Sequence, residues 1–398
     1  MGEQKAMTIK GNMATAMGAK LCRPNVIPAY PITPSTLFPE KMSEFVADGE
    51  LDASMINVES EHSAMSACIG ASATGARVCT ASASQGIALM HEMLFIASGM
   101  RLPIVMAVGN RALSAPINIW CDHQDTIASR DSGWLQFYAE NNQEGLDLMI
   151  NAFRIAEDER VLLPAMVGID AFVLTHTMEG VRVPAQEDVD EFLPPYKPSH
   201  GVLDPKEPAT FGSFGTPDYY QEFKHAQVEA IEKSEAVIDE VFKEYKERFG
   251  REYNKVTTFQ CEDADIILLT MGSMTGTARE AVRKLRAKGE KVGLAKLTVY
   301  RPFPAPELIK ILSGAKGVAV VDRNISPGAY GAVYTDLAGA FANMDERPLL
   351  KNFIAGLGGR EIFVESFQEI YQKTKDAVTA GEVKEPVEWI NMNEDVMR

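Results

Sequence analysis

Two hydrophobic patterns alternate along the first 180 residues. Short apolar runs with few polar positions lie at 26–30, 55–58, 77–81, 104–108 and 165–169. Longer stretches with helical spacing separate them, at 12–21, 37–47, 62–73, 86–98 and 143–158. Strands that lack polar alternation are those covered on both faces. Strand and helix in rotation predict an α/β fold built on a doubly wound parallel sheet. Within this series Met55-Ile56-Asn57-Val58 reads as a short buried strand.

The texture changes after 183. Seven prolines fall between Pro184 and Pro217, among Gly, Ser and Asp. Such a stretch predicts an extended connector laid over another surface. Residues 218–249 then read as one long amphipathic helix, with Val228, Ile231, Val237, Ile238, Val241 and Phe242 on its apolar side. A second α/β rhythm starts near Ala264. It predicts strands at 265–270, 292–297, 317–321 and 351–355, and helices at 277–288, 306–312, 330–341 and 360–374. After 380 comes a polar tail whose Trp389 is expected to dock on a neighbour. The chain therefore divides as 1–183, 184–258, 259–380 and 381–398.

Composition narrows the function classes. The 398 residues are 46% hydrophobic and 24% charged, as in soluble globular proteins. A formal net charge of -16 argues against nucleic acid or an anionic membrane as partner. No apolar run is long enough to span a bilayer. The start of the chain lacks the layout of a signal peptide, so a cytoplasmic location is expected. The cysteines, at 22, 68, 79, 121 and 261, form no Cys-x-x-Cys. An iron–sulfur cluster or zinc held by this chain alone is not expected, and reduced thiols are. Cys68 and Cys79, flanked by Ala and Val, read as small hydrophobes of the core.

The candidate chemistry gathers where strands end, the place where open α/β sheets bind ligands. Glu61 follows the run at 55–58 and opens a helix of small residues. A carboxylate half-buried there can share a proton with a basic ring nitrogen on a ligand. It can equally be an ordinary first-turn acid favoured by the helix dipole, with Glu59 the solvent-facing member of the pair. His62 reads as a hydrogen-bonded structural histidine. Pro31 and Pro34 stiffen the loop Tyr30-Pro31-Ile32-Thr33-Pro34-Ser35-Thr36, and Ser35 or Thr36 can cap the next helix. Arg111, after the strand at 104–108, can grip a small carboxylate through two parallel hydrogen bonds. Its plainer role is an ion pair with Asp122 or Asp125.

Other motifs carry less. Asp122-His123-Gln124-Asp125 matches no standard zinc or calcium loop and reads as a hydrogen-bond network or helix cap. Ser82-Ala83-Ser84-Gln85-Gly86 lacks the first glycine of a hydrolase elbow. His91-Glu92-Met93-Leu94-Phe95 has Phe where a zinc protease needs its second His. Gly272-Ser273-Met274-Thr275-Gly276 lacks the P-loop lysine, though its amides can meet an anion.

Together these segments resemble the α subunits of multi-subunit 2-oxoacid:ferredoxin oxidoreductases, the pyruvate enzymes in particular. The matching stretches are 30–36, 58–64, 81–86, 100–107, 110–125 and 138–144, with Val299-Tyr300-Arg301-Pro302-Phe303-Pro304, so the likeness spans nearly the whole chain. The resemblance implies a parallel-sheet, pyrimidine-type thiamine diphosphate-binding domain, followed by a smaller α/β domain like the C-terminal domain of transketolases. It implies that Glu61 faces the pyrimidine ring nitrogen, with Pro31, Ile32 and Gln85 also against the cofactor. Thr33 and Arg111 match the residues that hold the substrate carboxylate. The implied reaction converts pyruvate and coenzyme A to acetyl-CoA and carbon dioxide, reversibly, with electrons passed to ferredoxin. This chain lacks a Gly-Asp-Gly followed by an Asn-Asn pair, and it lacks cluster-binding cysteines. The resemblance therefore implies β, γ and δ partner subunits that hold Mg²⁺ and the [4Fe-4S] clusters, and an isolated chain without activity. A non-catalytic scaffold is the competing reading, and 2-oxoisovalerate the competing substrate.

Overall fold

The computed structural model describes residues 2, 4–199 and 201–396. The first part of the chain runs β1 (Lys5–Lys10), α1 (Gly11–Leu21), β2 (Val26–Ala29), α2 (Leu37–Ala47), β3 (Ser54–Asn57), α3 (Glu61–Ala73) and β4 (Cys79–Ser82). It continues α4 (Gln85–Leu89), α5 (His91–Gly99), β5 (Val105–Asn110), α6 (Gln124–Ile127), β6 (Leu135–Tyr138), α7 (Asn142–Ala156), β7 (Ala165–Asp170) and β8 (Met178–Val183). Helices α8 (Gln186–Phe192) and α9 (Tyr220–Phe249) follow. The second part runs β9 (Val256–Phe259), β10 (Ile266–Met271), α10 (Met274–Ala287), β11 (Val292–Leu297), β12 (Val299–Arg301) and α11 (Ala305–Leu312). It ends with β13 (Gly317–Asp322), α12 (Ala332–Phe341), β14 (Leu349–Ile354), α13 (Val364–Ala380) and β15 (Val387–Trp389).

The first sheet has the order β12-β6-β7-β5-β4, all parallel except β12. A single bridge, Val26 to Val78, connects its β4 edge to the parallel pair β2-β3. Strands β5 and β7 are buried at every position, as their unbroken apolar runs require. Helix α1 lies so close to α7 that a Cβ on Gly18 would stand 2.5 Å from the Leu146 carbonyl oxygen. The second sheet has the order β15-β14-β13-β10-β11-β9, with only β9 antiparallel. Strand β12 crosses over: it belongs to the second part by sequence but pairs with β6 of the first sheet.

Several expectations are corrected. The run at 55–58 forms β3, but its residues are mostly exposed, Ile56 included, because β3 is an edge that pairs only with β2. The helix at 86–98 is two helices divided at Met90. Val228 lies on the exposed side of α9, while Val237, Ile238, Val241 and Phe242 are buried. The connector contains α8, whose Phe192 meets Tyr245 and Phe249 edge-on. Its later part does lie over α3: Leu203 N donates to Ala73 O at 2.9 Å. The tail joins the second sheet as β15, parallel to β14. Strands β1, β6, β8, β9 and β12 were not expected from the hydrophobic pattern.

Candidate active site

Ser60 starts α3 by accepting the Ser63 amide on its hydroxyl at 3.2 Å. Glu61 is therefore fixed at the first helical position, only 7% exposed. Its side chain lies over the turn between β4 and α4. A Cβ on Gly86 would stand 2.7 Å from Glu61 Oε1 and 2.5 Å from Ser82 Oγ, so glycine is needed for the carboxylate to sit there. Among the described residues, no donor meets that carboxylate. Ser82 Oγ and Gln85 Nε2, in the same turn, are also buried without a partner. Gln85 is oriented by Ser84, whose hydroxyl donates to Gln85 Oε1 at 2.6 Å. Ser84 itself has a φ of 49°, unusual for a residue with a side chain. Asp125 anchors it by accepting the Ser84 amide at 2.9 Å.

The loop after β2 approaches the same turn. Pro31 and Thr33 are exposed and Ile32 half-buried. Neither Ser35 nor Thr36 caps α2, contrary to expectation. Ser35 Oγ instead donates to Ser82 O at 2.9 Å and accepts the Gly109 amide at 3.1 Å, which ties the loop to the ends of β4 and β5.

Arg111, 6% exposed, meets this loop directly. Its Nη1 donates to Thr33 O at 2.9 Å and its Nε to Asn118 O at 2.9 Å. Burial lowers its pKa, and Asp125 partly offsets that. The ion pair with Asp122 or Asp125 does not form. Asp122 accepts the Gln124 and Gly358 amides. Asp125 accepts the amides of Ser84, Arg111 and Thr126 and the Asn110 side chain. The guanidinium thus has two carbonyl partners and no carboxylate among the described residues. Gln85 and Arg111 follow β4 and β5 of the first sheet, and Thr33 and Glu61 follow β2 and β3 of the pair bridged to it. Sequence reasoning missed Ser82 and Asp125 as parts of this site. A hydroxyl in a turn and an acid in a network give no signal until their partners are counted.

The stretch Asp122 to Asp125 is the expected hydrogen-bond network, and it reaches into the second domain. His123 Nε2 lies 2.7 Å from Asp170 Oδ1, and Arg323 Nη1 donates to Asp170 Oδ2 at 2.6 Å. Cys121, His123 and Asp170 bring potential metal ligands within 4.8 Å of one another. Arg323 Nη1, 2.8 Å from Cys121 Sγ, already supplies the positive charge there. Burial alone would raise the Asp170 carboxyl, but Arg323 and His123 hold it well below the usual carboxylate range. The Gly272 turn does meet an anion: Ser273 N donates to Asp170 Oδ2 at 2.9 Å. His62 pairs with Glu92 at 2.8 Å on the surface. Cys68 and Cys79 are buried, and burial pushes both thiols up.

Comparison with known proteins identifies the family and the fold. Residues 17–243 match the family model described as pyruvate flavodoxin/ferredoxin oxidoreductase, thiamine diphosphate-binding. Residues 264–367 match the model of pyruvate:ferredoxin oxidoreductase core domain II. The chain is 57% identical to pyruvate synthase subunit PorA of Pyrococcus furiosus, over 98% of both chains. It is 49% identical to ketoisovalerate oxidoreductase subunit VorA of Pyrococcus horikoshii, over 96% of this chain and 97% of that one. Among solved structures, a 2-oxoglutarate:ferredoxin oxidoreductase from Magnetococcus marinus superposes with a TM-score of 0.72 at 20% identity, covering 94% of this chain and 65% of the other. A split-gene transketolase superposes at 0.54 with 13% identity, over 94% of this chain and 99% of that one. These two show the fold alone, an α/β architecture shared with transketolases. The chain belongs to the pyruvate flavodoxin/ferredoxin oxidoreductase family, the thiamine diphosphate-dependent 2-oxoacid oxidoreductases.

Proposed function

We propose that this chain supplies the pyrimidine-facing and substrate-gripping half of a thiamine diphosphate site in a pyruvate:ferredoxin oxidoreductase. The observation that carries the reading is the Glu61 carboxylate, nearly buried and unpaired, beside two buried polar atoms that also lack partners. Buried polar groups are ordinarily hydrogen-bonded, and a set left open at strand ends suits a polar heterocycle. Glu61, Ser82 and Gln85 would hold the aminopyrimidine by its polar edge, with Pro31 and Ile32 against its ring. When bound, thiamine diphosphate supplies the electron sink that lets a 2-oxoacid release carbon dioxide. Glu61 holds a proton at that edge and returns it. Arg111, its orientation set by Thr33 O and Asn118 O, presents its remaining N–H groups to the carboxylate of the acid. Thr33 borders the same space.

The apolar, neutral stretch Ala112-Leu113-Ser114-Ala115-Pro116 suits a small uncharged acyl group, which favours pyruvate. The relative that acts on ketoisovalerate makes the branched acid the alternative substrate. The diphosphate with its Mg²⁺, the [4Fe-4S] clusters and the coenzyme A contacts would come from β, γ and δ subunits, with ferredoxin as acceptor. No described helix is long and apolar enough to cross a membrane. The test is Glu61→Gln in the assembled complex, read as pyruvate-dependent reduction of a dye. A loss of about two orders of magnitude is expected for an acid–base group. Full retained activity would favour a non-catalytic scaffold.

A further inference from the structure

The hairpin that carries Arg111 is held from the other domain. Arg111 and Cys121 pair across its base, and Ala112 N donates to Trp120 O at 3.1 Å. Its tip is largely exposed. Below the tip, Asn118 has three partners. Its carbonyl oxygen accepts Arg111 Nε, its Nδ2 donates to Gly358 O at 3.0 Å, and its Oδ1 accepts Trp120 N at 2.8 Å. The turn after β14 answers from the second domain: Gly358 N donates to Asp122 Oδ2 at 3.1 Å and Gly359 N to Cys121 O at 2.7 Å. Gly358 has a φ of 57°, and a Cβ there would stand 2.6 Å from Asn118 Nδ2. At Gly359, with a φ of 80°, it would stand 2.4 Å from Trp120 Cβ. Only glycines let the turn come this close.

We propose that this turn of the second domain positions the substrate-facing arginine through Asn118, and so helps to decide which 2-oxoacid the site accepts. The inference rests on Arg111 as the carboxylate grip. With no carboxylate of its own, the guanidinium takes its plane from two carbonyl oxygens. One belongs to the loop after β2. The other is that of Asn118, whose side chain is bolted to Gly358. A two-bond grip on a carboxylate needs that plane fixed. Asn118 and Gly358 are thus positioning residues: neither touches the reacting atoms.

The test uses the assembled multi-subunit complex carrying Asn118→Ala, Gly358→Ala or both. Steady-state kinetics with pyruvate and with 2-oxoisovalerate are measured beside the thermal midpoint. For either single variant, the pyruvate KM should rise about five- to tenfold, near the weight of one hydrogen bond, with kcat within about twofold. The ratio of kcat/KM for the two acids should shift at least about threefold. The double variant should be no worse than Gly358→Ala alone, because both changes act through one contact. An unchanged KM and acid ratio, whatever the thermal midpoint does, would overturn the proposal, as would additive effects. If Asn118→Ala fails to assemble, Asn118→Ser gives the same readout with a smaller change. The parent reading fails separately, through a fully active Glu61→Gln. An inactive Glu61→Gln beside an Asn118→Ala of normal KM would sink this inference alone.

Discussion

The two sheets treat their strand ends in opposite ways. At the strand ends of the first domain, Ser82 and Gln85 hold buried polar atoms with no partner, beside the nearly buried Glu61 carboxylate, which no donor meets among the described residues. At the ends of the second, most such groups are engaged, Arg323 Nε being a buried exception, and much of what they engage is the first domain. Ser273, after β10, and Arg323, after β13, both donate to Asp170. Gly358, after β14, exchanges hydrogen bonds with Asn118 and Asp122. Asp322 accepts the amides of Val333 and Tyr334, at the start of α12, and the side chains of Asn324 and Asn352. Similar α/β topology thus yields a site in one sheet and a buttress in the other. The place that binds small molecules in many open α/β sheets here binds a neighbouring domain. What the strand-end groups engage, more than topology, tells the two apart.

The strongest way to break this comparison is to remove the charge on which the buttress converges. Asp170→Ala leaves Arg323 and His123 facing each other in a buried space. Losing one partner of a buried ion pair costs about 3–5 kcal/mol. Denaturant unfolding of the full chain should show that loss. A change below about 1 kcal/mol would mean that the second domain docks by apolar packing alone.

A smaller effect probes burial in both domains at once. Asp125 in the first and Asp322 in the second are fully buried, and burial pushes each up to about 6, against hydrogen bonds that pull the other way. The folded chain then holds these protons more tightly than the unfolded chain, whose ordinary value is 3.8. Each acid adds stability below about pH 4, and that contribution is lost as the pH rises through about 6. The gap corresponds to at most roughly 3 kcal/mol per group. Asp322→Asn should flatten the fall in stability between pH 4 and 6 relative to the unaltered chain, in denaturant titrations at several pH values. An identical slope would show that the hydrogen bonds, not burial, govern the titration.

Much of this was legible in the residues. The apolar runs of β5, β7 and β10 gave parallel strands, because both faces are covered within this chain. Glu61 and Arg111 stood out as candidates because each follows an apolar run, whereas Thr33 was indicated only by the family resemblance. The misses have physical causes. Met55-Ile56-Asn57-Val58 is apolar, yet β3 is an edge whose outer side this chain does not cover. Strand β12 finds its partner more than 160 residues earlier in sequence, and no local pattern encodes that. The two strands β1 and β8 carry charges and exposed positions, which mask a strand pattern. Asn118 looked like an ordinary polar residue because its importance lies in what it bonds, and those partners are distant or backbone.

The finest discrimination comes from two serines at the first sheet's strand ends. Ser35 and Ser82 are both buried, at 3% and 0% exposed, and both lie at the proposed site. Ser35 Oγ makes two hydrogen bonds, to Ser82 O and from Gly109 N. Ser82 Oγ makes none. Ser35→Ala would leave a buried carbonyl and a buried amide unmet, at a cost of about 1–3 kcal/mol. Ser82→Ala removes a hydroxyl that has nothing to lose, so the stability of the full chain should move by less than about 0.5 kcal/mol in either direction. Its effect should appear instead in the assembled complex, as a few-fold weaker retention of thiamine diphosphate, measured by equilibrium dialysis. A Ser82→Ala chain as destabilised as Ser35→Ala would mean that the hydroxyl is already satisfied without a ligand. The contrast between an open first sheet and a closed second one would then lose one of its three supports, and Glu61 with Gln85 would have to carry it.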